Sequence, residues 1–245
     1  MVAAILIAAY EEILPYEIPW KPKREDLRLD TLHVFSSQLL PTQIMRPAVL
    51  GFLTVVGVVE NGQSVLNIWP NHWPFELQFI LEAICGDFGA YWVHRWAHEI
   101  PALWRLHSVH HSVPGLYWLN ASRFHPLDTA LSFSAQMLTL LSLGVGSDVL
   151  VMWTTFSGVH SLFQHCNVDL KAGPLNWIFS MAEPHRWHHS KILAEADHNY
   201  GPELVIWDHV FRTFYLPGDR RPPQDIGYDG METMHATWFG QVTRF

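Results

Sequence analysis

Two long stretches of the chain are rich in apolar residues and free of positive charge. No Lys or Arg lies between Arg46 and Arg95, or between Arg123 and Lys171. In the first stretch, the apolar runs "PAVLGFLTVVGVVE" and "FELQFILEAICGDFGAYWV" flank the turn-rich "NGQSVLNIWPNHWP". In the second, "TALSFSAQMLTLLSL" and "DVLVMWTTFSGVHSLF" flank "GVGSD". Each stretch has room for two spanning helices of ~20 residues and a turn. The pattern therefore predicts two transmembrane helical hairpins, with about four spanning helices.

The distribution of Lys and Arg predicts the orientation of these hairpins. Apart from Arg46, the basic residues lie outside them, which places both ends of each hairpin in the cytoplasm. A helical core in water is the alternative, but it needs charged outer faces that these segments lack. Two features fit a span poorly: "TALSFSAQMLTLLSL" is short, and Glu82 and Asp87 fall within the first stretch. Hairpins that dip partway, or helices that extend into the cytoplasm, fit equally well.

Composition supports a membrane protein and excludes other classes. The chain is 49% hydrophobic and 16% charged, against roughly 25% charged residues in soluble domains. A net charge of −8 gives no basic patch for nucleic acid. Cys85 and Cys166 form neither a disulfide framework nor a zinc-type pair. The opening "MVAAILIAAY" is too short to span a membrane and lacks the basic residues of a cleaved signal.

Histidines are concentrated at the ends of the two predicted hairpins. His94 and His98 form an HxxxH motif, and an HxxHH motif follows at 107–111. After the second hairpin come an HxxxxH motif at 160–165 and a second HxxHH at 185–189. On a helix, positions i, i+3 and i+4 share one face, so each HxxHH motif presents three imidazoles together.

The grouping of the imidazoles indicates metal ions. Buried imidazoles without a ligand would leave lone pairs unsatisfied at roughly 1–3 kcal/mol each, and neutral imidazole is the commonest metal ligand. About ten ligands exceed the four of a tetrahedral ion, so we expect two ions. Imidazole suits zinc, copper, iron and nickel, and no HExxH motif is present. A metal centre beside the bilayer suits an apolar substrate, whose inert C–H bonds react only with activated oxygen. Among these metals, iron and copper carry out such oxygen chemistry. A membrane zinc protein, either a lipid hydrolase or a metal buffer, is the alternative.

The order of these motifs resembles the fatty acid hydroxylase / sterol desaturase superfamily of integral membrane di-iron oxygenases. The resemblance rests on "DFGAYWVHRWAHEIPALWRLHSVHHS", "SRFHPLD", "FQHCNVDLKAGPLNWIF", "PHRWHHS" and "HNYGPELVIWDHVFRTF". It covers most of residues 80–215. Family tails commonly read Phe-Gly-Thr where this chain has Phe211-Arg212-Thr213, so the resemblance does not extend to the packing of that turn.

The resemblance implies a cytoplasmic helical cap that holds two ferrous ions, with zinc as a possible substitute. The enzyme would use O2 to hydroxylate or desaturate a membrane lipid such as a fatty acyl chain or a sterol. Electrons would come from a separate donor of cytochrome or ferredoxin type. The location would be the bacterial inner membrane or the endoplasmic reticulum, with the metals on the cytoplasmic side. The ligands it implies are His94, His98, His107, His110, His111, His160, His165, His185, His188 and His189.

Five further residues are candidates to support these ligands: Asp87, His125, Asp197, His198 and Asn199. Asp87 shares a helical stripe with His94 and His98, so it could accept the distal N–H of a ligand. A hydrogen bond between helices of the hairpin is an equal alternative for Asp87, and His125 could itself be a ligand.

The predicted organisation is a single all-α domain over residues 1–245. Its successive parts are a first segment (1–30), the first hairpin (31–94), the first histidine cap segment (95–128), the second hairpin (129–165), the second histidine cap segment (166–216) and a tail (217–245).

Overall fold

The computed structural model describes residues 2–234 and 236–243. The fold there is mainly helical, and short 3-10 turns connect several of the helices. In chain order the α-helices are α1 (Val2–Ile13), α2 (Arg24–His33), α3 (Leu40–Val55), α4 (Phe75–Glu99), α5 (Pro101–His111), α6 (Pro126–Leu143), α7 (Ser147–Gln164), α8 (Ala182–His188), α9 (Leu193–Ala196), α10 (Ile206–Phe211) and α11 (Trp238–Thr243).

A π-helical turn, Val34–Leu39, joins α2 to α3, and a small hairpin follows α3. Its strands β1 (Val59–Glu60) and β2 (Gln63–Ser64) pair antiparallel. Asn61 and Gly62 connect them with φ of 52° and 78°. Positive φ at both central residues is the geometry of the tight hairpin turn that Asn-Gly favours. The turn-rich segment of the first charge gap is therefore a β-hairpin.

Helices α3, α4, α6 and α7 pack side by side around an apolar core. Leu53, Met137, Leu140 and Trp153 are almost completely buried in this cluster. Helices α4 and α6 approach each other closely at Gly89, where a Cβ atom would lie 2.7 Å from the carbonyl oxygen of Ala135. A larger residue there would force the two helices apart, and α4 carries the first histidines of the site.

The prediction of spanning helices is wrong for the part of the chain that the structure describes. In residues 2–234 and 236–243, none of the helices combines the length and the apolar character that crossing a membrane requires. At 16 residues, α3 covers roughly 24 Å against a hydrocarbon core of ~30 Å. Helix α4 is long enough, but Glu82 and Asp87 interrupt its apolar run. The apolar stretches do form helices, but α6 and α7 contain several Ser, Thr and Gln residues, which make these helices less apolar than a membrane span requires.

Segments from both ends of the chain pack on the histidine-bearing half of the fold. Tyr16 and Trp20 form an apolar cluster with Leu116 and Ile226. The Arg186 guanidinium lies 3.8 Å from the centre of the Tyr16 ring. These contacts tie residues 15–20 and 220–226 to the elements that carry the metal-binding candidates.

A buried ion pair anchors α2 to the same half. Arg123 Nε donates to Asp30 Oδ1 at 2.5 Å, and the Tyr117 hydroxyl donates to Asp30 Oδ2. Asp30 is completely buried. Because a buried charge is tolerated only when it is paired and hydrogen-bonded, this network fixes the loop that precedes α6.

Glu82 is a buried carboxyl group on α4 without such compensation. It is completely buried, and neither of its carboxylate oxygens has a hydrogen-bond partner among the described residues. Burial raises the pKa of Glu82 to about 8. The folded chain therefore holds a proton here that the unfolded chain releases near pH 4.5.

Replacing Glu82 with Met should make stability less dependent on pH. Between pH 4.5 and 8 the folded protein binds one proton more than the unfolded protein, so wild-type stability falls by up to about 1.4 kcal/mol per pH unit from this group. The difference in the free energy of unfolding, E82M minus wild type, should therefore be larger at pH 8 than at pH 5. Denaturant titrations at both pH values measure this, with Glu76→Gln on the exposed start of α4 as control. Parallel pH profiles for wild type and E82M would contradict the assignment.

Candidate metal centre

Four parts of the chain bring nine histidines together. The last two turns of α4 carry His94 and His98, and α5 carries the motif at 107–111. His165 caps the C-terminus of α7, and α8 with the residue after it carries the motif at 185–189. Ile100 is extended and Pro101 starts α5 immediately, so α4 and α5 meet at a sharp corner and direct their histidines to one point.

The nine imidazoles form two clusters. Within each cluster one nitrogen of every histidine lies within 4.8 Å of the others. The first cluster contains His94, His98, His107, His111 and His188, and the second contains His110, His165, His185 and His189. Each HxxHH motif is divided between the two clusters, and its i, i+4 pair stays together. Neither cluster can form without both halves of the chain.

Backbone carbonyl groups fix the orientation of several rings. His94 Nδ1 donates to the carbonyl oxygen of Tyr200 at 2.8 Å, and His188 Nδ1 donates to that of His198 at 2.8 Å. His110 Nδ1 donates to the carbonyl oxygen of Arg123 at 3.2 Å. A carbonyl oxygen only accepts hydrogen bonds, so Nδ1 carries the proton in these rings and Nε2 presents a bare lone pair.

Side-chain acceptors do the same for three other rings. His107 Nδ1 lies 2.8 Å from Asp128 Oδ2, and His165 Nδ1 lies 2.8 Å from Asn120 Oδ1. His98 Nδ1 lies 3.3 Å from Asp197 Oδ1, and its buried Nε2 has no partner among the described residues. Acceptors behind the ring are the usual way in which proteins orient metal-ligating histidines.

The bare nitrogens face one another. The Nε2 atoms of His94 and His188 are 3.0 Å apart, and those of His110 and His165 are 3.3 Å apart. Since each of these four rings carries its proton on Nδ1, neither pair can form a hydrogen bond between its Nε2 atoms. Two lone pairs at this distance repel unless a cation lies close to both. The arrangement therefore fits bound metal ions.

Protonation of the imidazoles does not relieve this repulsion. Burial lowers the pKa of His94, His98, His107 and His165 to about 3 each. Burial and neighbouring imidazoles hold the pKa values of the other five well below the usual range. At neutral pH the centre is thus a set of nine neutral nitrogen donors, more than one tetrahedral ion binds. Nitrogen donors of this kind suit iron, zinc, copper or nickel.

The structure places His160 and His125 outside both clusters. His160 Nε2 donates to the carbonyl oxygen of Ser180 at 3.0 Å, and the ring stacks on Phe156. His125 Nδ1 accepts the N–H of Leu127, which caps the start of α6. Their roles as ligands remain predictions, and these contacts give them no support.

The other predicted supporting residues have different surroundings. Asp197 contacts a ring of the first cluster, as given above, and His198 contributes through its carbonyl oxygen rather than its imidazole. The Asn199 amide donates to the carbonyl oxygens of Pro184 and Tyr215, with φ of 57°. Asp87 contacts no clustered histidine; it accepts the N–H groups of Glu203 and Leu204.

Sequence reasoning missed two supporting side chains, Asp128 and Asn120. Asp128 lies in the "SRFHPLD" motif, near the start of α6. It follows Pro126, the first residue of α6, so the turn directs its carboxylate back toward α5. Asn120 lies in a 3-10 turn, Trp118–Ser122, which no periodicity indicates.

The remaining histidines have ordinary surroundings where the structure describes them. His33 is buried and hydrogen-bonds to Ser37 and Gln241. His72 and His209 are exposed. His235, which we also expected to be ordinary, lies outside the described residues.

The turn after α10 contains the sequence departure from the family pattern, Phe211-Arg212-Thr213. Arg212 occupies the position of the family's glycine and has φ of 61°, a conformation that costs little only for glycine. The turn is nevertheless closed, because Thr213 N–H donates to the Asp208 carbonyl oxygen at 2.8 Å.

A cavity of about 550 Å³ opens onto both clusters. His94 and His107 of the first cluster and His110, His165 and His185 of the second form part of its wall. The rest of the wall comes from α3, α6, α7 and the loop around 201–203. The metal-binding candidates are therefore accessible to a molecule of lipid head-group size or larger.

Comparison with known proteins identifies the family. The sequence model of the fatty acid hydroxylase family matches residues 79–213. The ornithine lipid hydroxylase OlsE of Rhizobium tropici is 38% identical over 229 residues, which is 92% of this chain and 68% of that protein. The chain belongs to the fatty acid hydroxylase family. This confirms the predicted family and the predicted class of enzyme, a lipid hydroxylase.

More distant relatives are named as monooxygenases. Alkylglycerol monooxygenase of Homo sapiens is 32% identical over 170 residues, 64% of this chain and 36% of that protein. Methylsterol monooxygenase 1 of Rattus norvegicus is 27% identical over 144 residues, 58% of this chain and 48% of that protein. The chain spans about two thirds of OlsE and less than half of these two. No solved structure matches the chain.

Replacing His110 with Ala should weaken metal binding in the second cluster and spare the first, so that the second ion is lost during purification. His110 belongs to the smaller cluster, so its loss leaves three imidazoles there and five in the other. We expect metal content to fall from about two ions per chain to about one, measured by elemental analysis of protein purified without oxygen. The exposed His72→Ala serves as the control and should keep both ions. Two ions in H110A would contradict the division into two clusters.

Replacing Asp128 with Asn should weaken metal binding at the first cluster by roughly 10–100-fold. Burial raises the pKa of Asp128 to about 7, and its ionised form makes His107 a better ligand. Wild-type metal affinity should therefore rise as the pH increases through 7, and the rise should be absent in D128N. Competition with a chelator at pH 6 and pH 8 measures both effects. The exposed Asp148→Asn should behave as the wild type, and an equal rise in D128N would contradict this role.

Proposed function

We propose that the chain is a non-haem di-iron oxygenase that hydroxylates a C–H bond of a lipid. The observation that carries the proposal is the pair of neutral histidine clusters at the wall of one cavity. Two iron ions bound there would supply the activation of O2. In balance, the reaction takes R–H, O2, two electrons and two protons to R–OH and water.

The chain's own residues hold the ions in this proposal. His94, His98, His107, His111 and His188 bind the first ion, and His110, His165, His185 and His189 bind the second. The acceptors behind six of these rings, among them Asp128 and Asn120, hold the proton on Nδ1, so that Nε2 would be free to bind an ion. Zinc is an expected substitute, since imidazole sites also accept it.

The cavity positions the substrate. His94 and His107 of one cluster and His110 of the other share its wall, so a lipid carbon placed there can lie beside both ions. Residues of α3, α6 and α7 line much of the remaining space around this carbon. The protein then selects which C–H bond reacts by where the rest of the lipid is held.

The relatives support hydroxylation over desaturation, because those compared are named hydroxylases or monooxygenases. Ornithine lipid, alkylglycerol and methylsterol in those names indicate lipid substrates of several kinds. We propose a lipid of this broad group as the substrate. The two electrons come from a separate donor of cytochrome or ferredoxin type, since the lipid supplies only the electrons of the C–H bond. Because the proposed substrate is a membrane lipid, we also propose that the enzyme works at a membrane surface, with its metal clusters on the cytoplasmic side.

Lipid mass spectrometry of host cells tests the proposal. Cells that express the chain should accumulate a lipid that is heavier by one oxygen atom, and labelling with 18O2 should add the label to it. Cells that express His188→Ala, which lacks a first-cluster ligand, should not, while His209→Ala at an exposed site should. An unlabelled product, or full activity in H188A, would rule out the proposed chemistry.

A further inference from the structure

Polar side chains line the cavity along helical stripes. Thr129, Ser132 and Gln136 lie three and four positions apart on α6, and Thr154 and Ser157 continue the pattern on α7. Residues at these spacings share one helix face. The Thr129 hydroxyl is buried and has no hydrogen-bond partner among the described residues. A hydrocarbon chain makes no hydrogen bonds with such groups, so these stripes fit a polar ligand.

A pair of buried carboxyl groups, Asp87 and Glu203, lies at this wall. Glu203 lines the cavity and is 5% exposed, and the Ser157 hydroxyl donates to its Oε1 atom. Its Oε2 atom has no hydrogen-bond partner in the described part of the chain other than the Asp87 carboxyl group beside it. Asp87 lies beside it, completely buried, and accepts the Leu204 N–H at 2.6 Å. Burial and the adjacent Glu203 carboxyl group raise the pKa of Asp87 well above its usual range.

The described residues provide no cation for this carboxyl pair. None of their ion pairs includes Asp87 or Glu203. His160 is near enough to interact with Glu203, but burial lowers the pKa of His160 and its Nε2–H is directed at Ser180. An unpaired buried carboxylate is costly. A cationic group of a ligand in the cavity would remove this cost.

A single basic side chain stands elsewhere on the same wall. Among the described residues that line the cavity, Arg46 is the only Lys or Arg. It is exposed on α3, one turn after Thr42 and Gln43, which also line the cavity. A guanidinium group beside amide and hydroxyl groups suits a carboxylate or a phosphate.

We infer that the cavity binds the head group of a zwitterionic lipid, with its cationic nitrogen at Glu203 and its anionic group at Arg46. The inference builds on the proposed function, because it names the class of lipid that the oxygenase takes. The head group, rather than the middle of an alkyl chain, then lies beside the histidine clusters.

Three matched amphiphiles test the recognition of each charge. N-palmitoyl-lysine carries a free amine and a carboxylate, N-palmitoyl-norleucine lacks the amine, and N-palmitoyl-lysine amide lacks the carboxylate. Binding of each radiolabelled compound to the iron-loaded protein is measured at equilibrium under nitrogen, where no turnover occurs. N-palmitoyl-lysine should bind at least about thirtyfold more tightly than N-palmitoyl-norleucine. It should also bind several-fold more tightly than its amide, since Arg46 is exposed. Equal binding of the lysine and norleucine compounds by the wild type would overturn the inference.

Two variants assign the preferences to residues. Glu203→Gln keeps an acceptor for Ser157 and removes the charge, so it should abolish the preference for the amine and keep that for the carboxylate. Arg46→Gln should do the opposite. The exposed Glu76→Gln and Arg28→Gln are the matched controls and should keep both preferences. An amine preference that survives in a folded E203Q, checked by circular dichroism and metal content, would place the cation elsewhere and refute the assignment.

Binding and turnover separate the two proposals. If the amine preference is present but no lipid gains oxygen from O2, the proposed function fails and the head-group site stands. If a lipid is hydroxylated but the three compounds bind equally, the oxygenase stands and the head-group site fails.

Discussion

The structure depends on keeping nine neutral imidazoles in contact with one another. Each cluster places nitrogen lone pairs at distances that repel, and burial prevents protons from relieving the repulsion. The surrounding fold supplies what makes the arrangement possible, namely acceptors behind six of the nine rings that hold the proton of the ring on Nδ1. Asp128, Asn120 and the carbonyl oxygens of Tyr200 and His198 come from different elements. The turns and loops outside the histidine motifs are thus part of the site.

The histidine motifs predicted most of the site, because the period of a helix fixes which imidazoles share a face. Motif spacing could not show that each HxxHH divides between two clusters, since that depends on how α5 and α8 meet. His160 and His165 illustrate the same limit. They are five positions apart, which on a helix places them on different faces, and of the two only His165 lies in a cluster. Asp128 was missed because its role depends on the turn that Pro126 begins.

The apolar stretches predicted helices correctly but not spanning ones. Counting basic residues over a stretch gives no weight to uncharged polar side chains, and α6 and α7 carry many of these. In the folded chain such residues line a cavity, where Thr129, Ser132 and Gln136 form a continuous stripe. The residues that lower the hydropathy of the helices are therefore the ones that give the cavity its chemistry. Glu82 and Asp87 were anomalies in a spanning helix; Asp87 now belongs to a carboxyl pair beside that cavity.

The division of the HxxHH motifs between clusters also bears on how the chain reaches its folded state. An ion in the first cluster would join α4, α5 and α8, and an ion in the second would join α5, α7 and α8. Both ions would thus act as cross-links between segments far apart in sequence, much as disulfide bonds do in secreted proteins. Because α5 and α8 contribute to both, loading of one ion would bring the ligands of the other into place. Metal supply during synthesis would then govern how much of the chain folds, in addition to whether it is active.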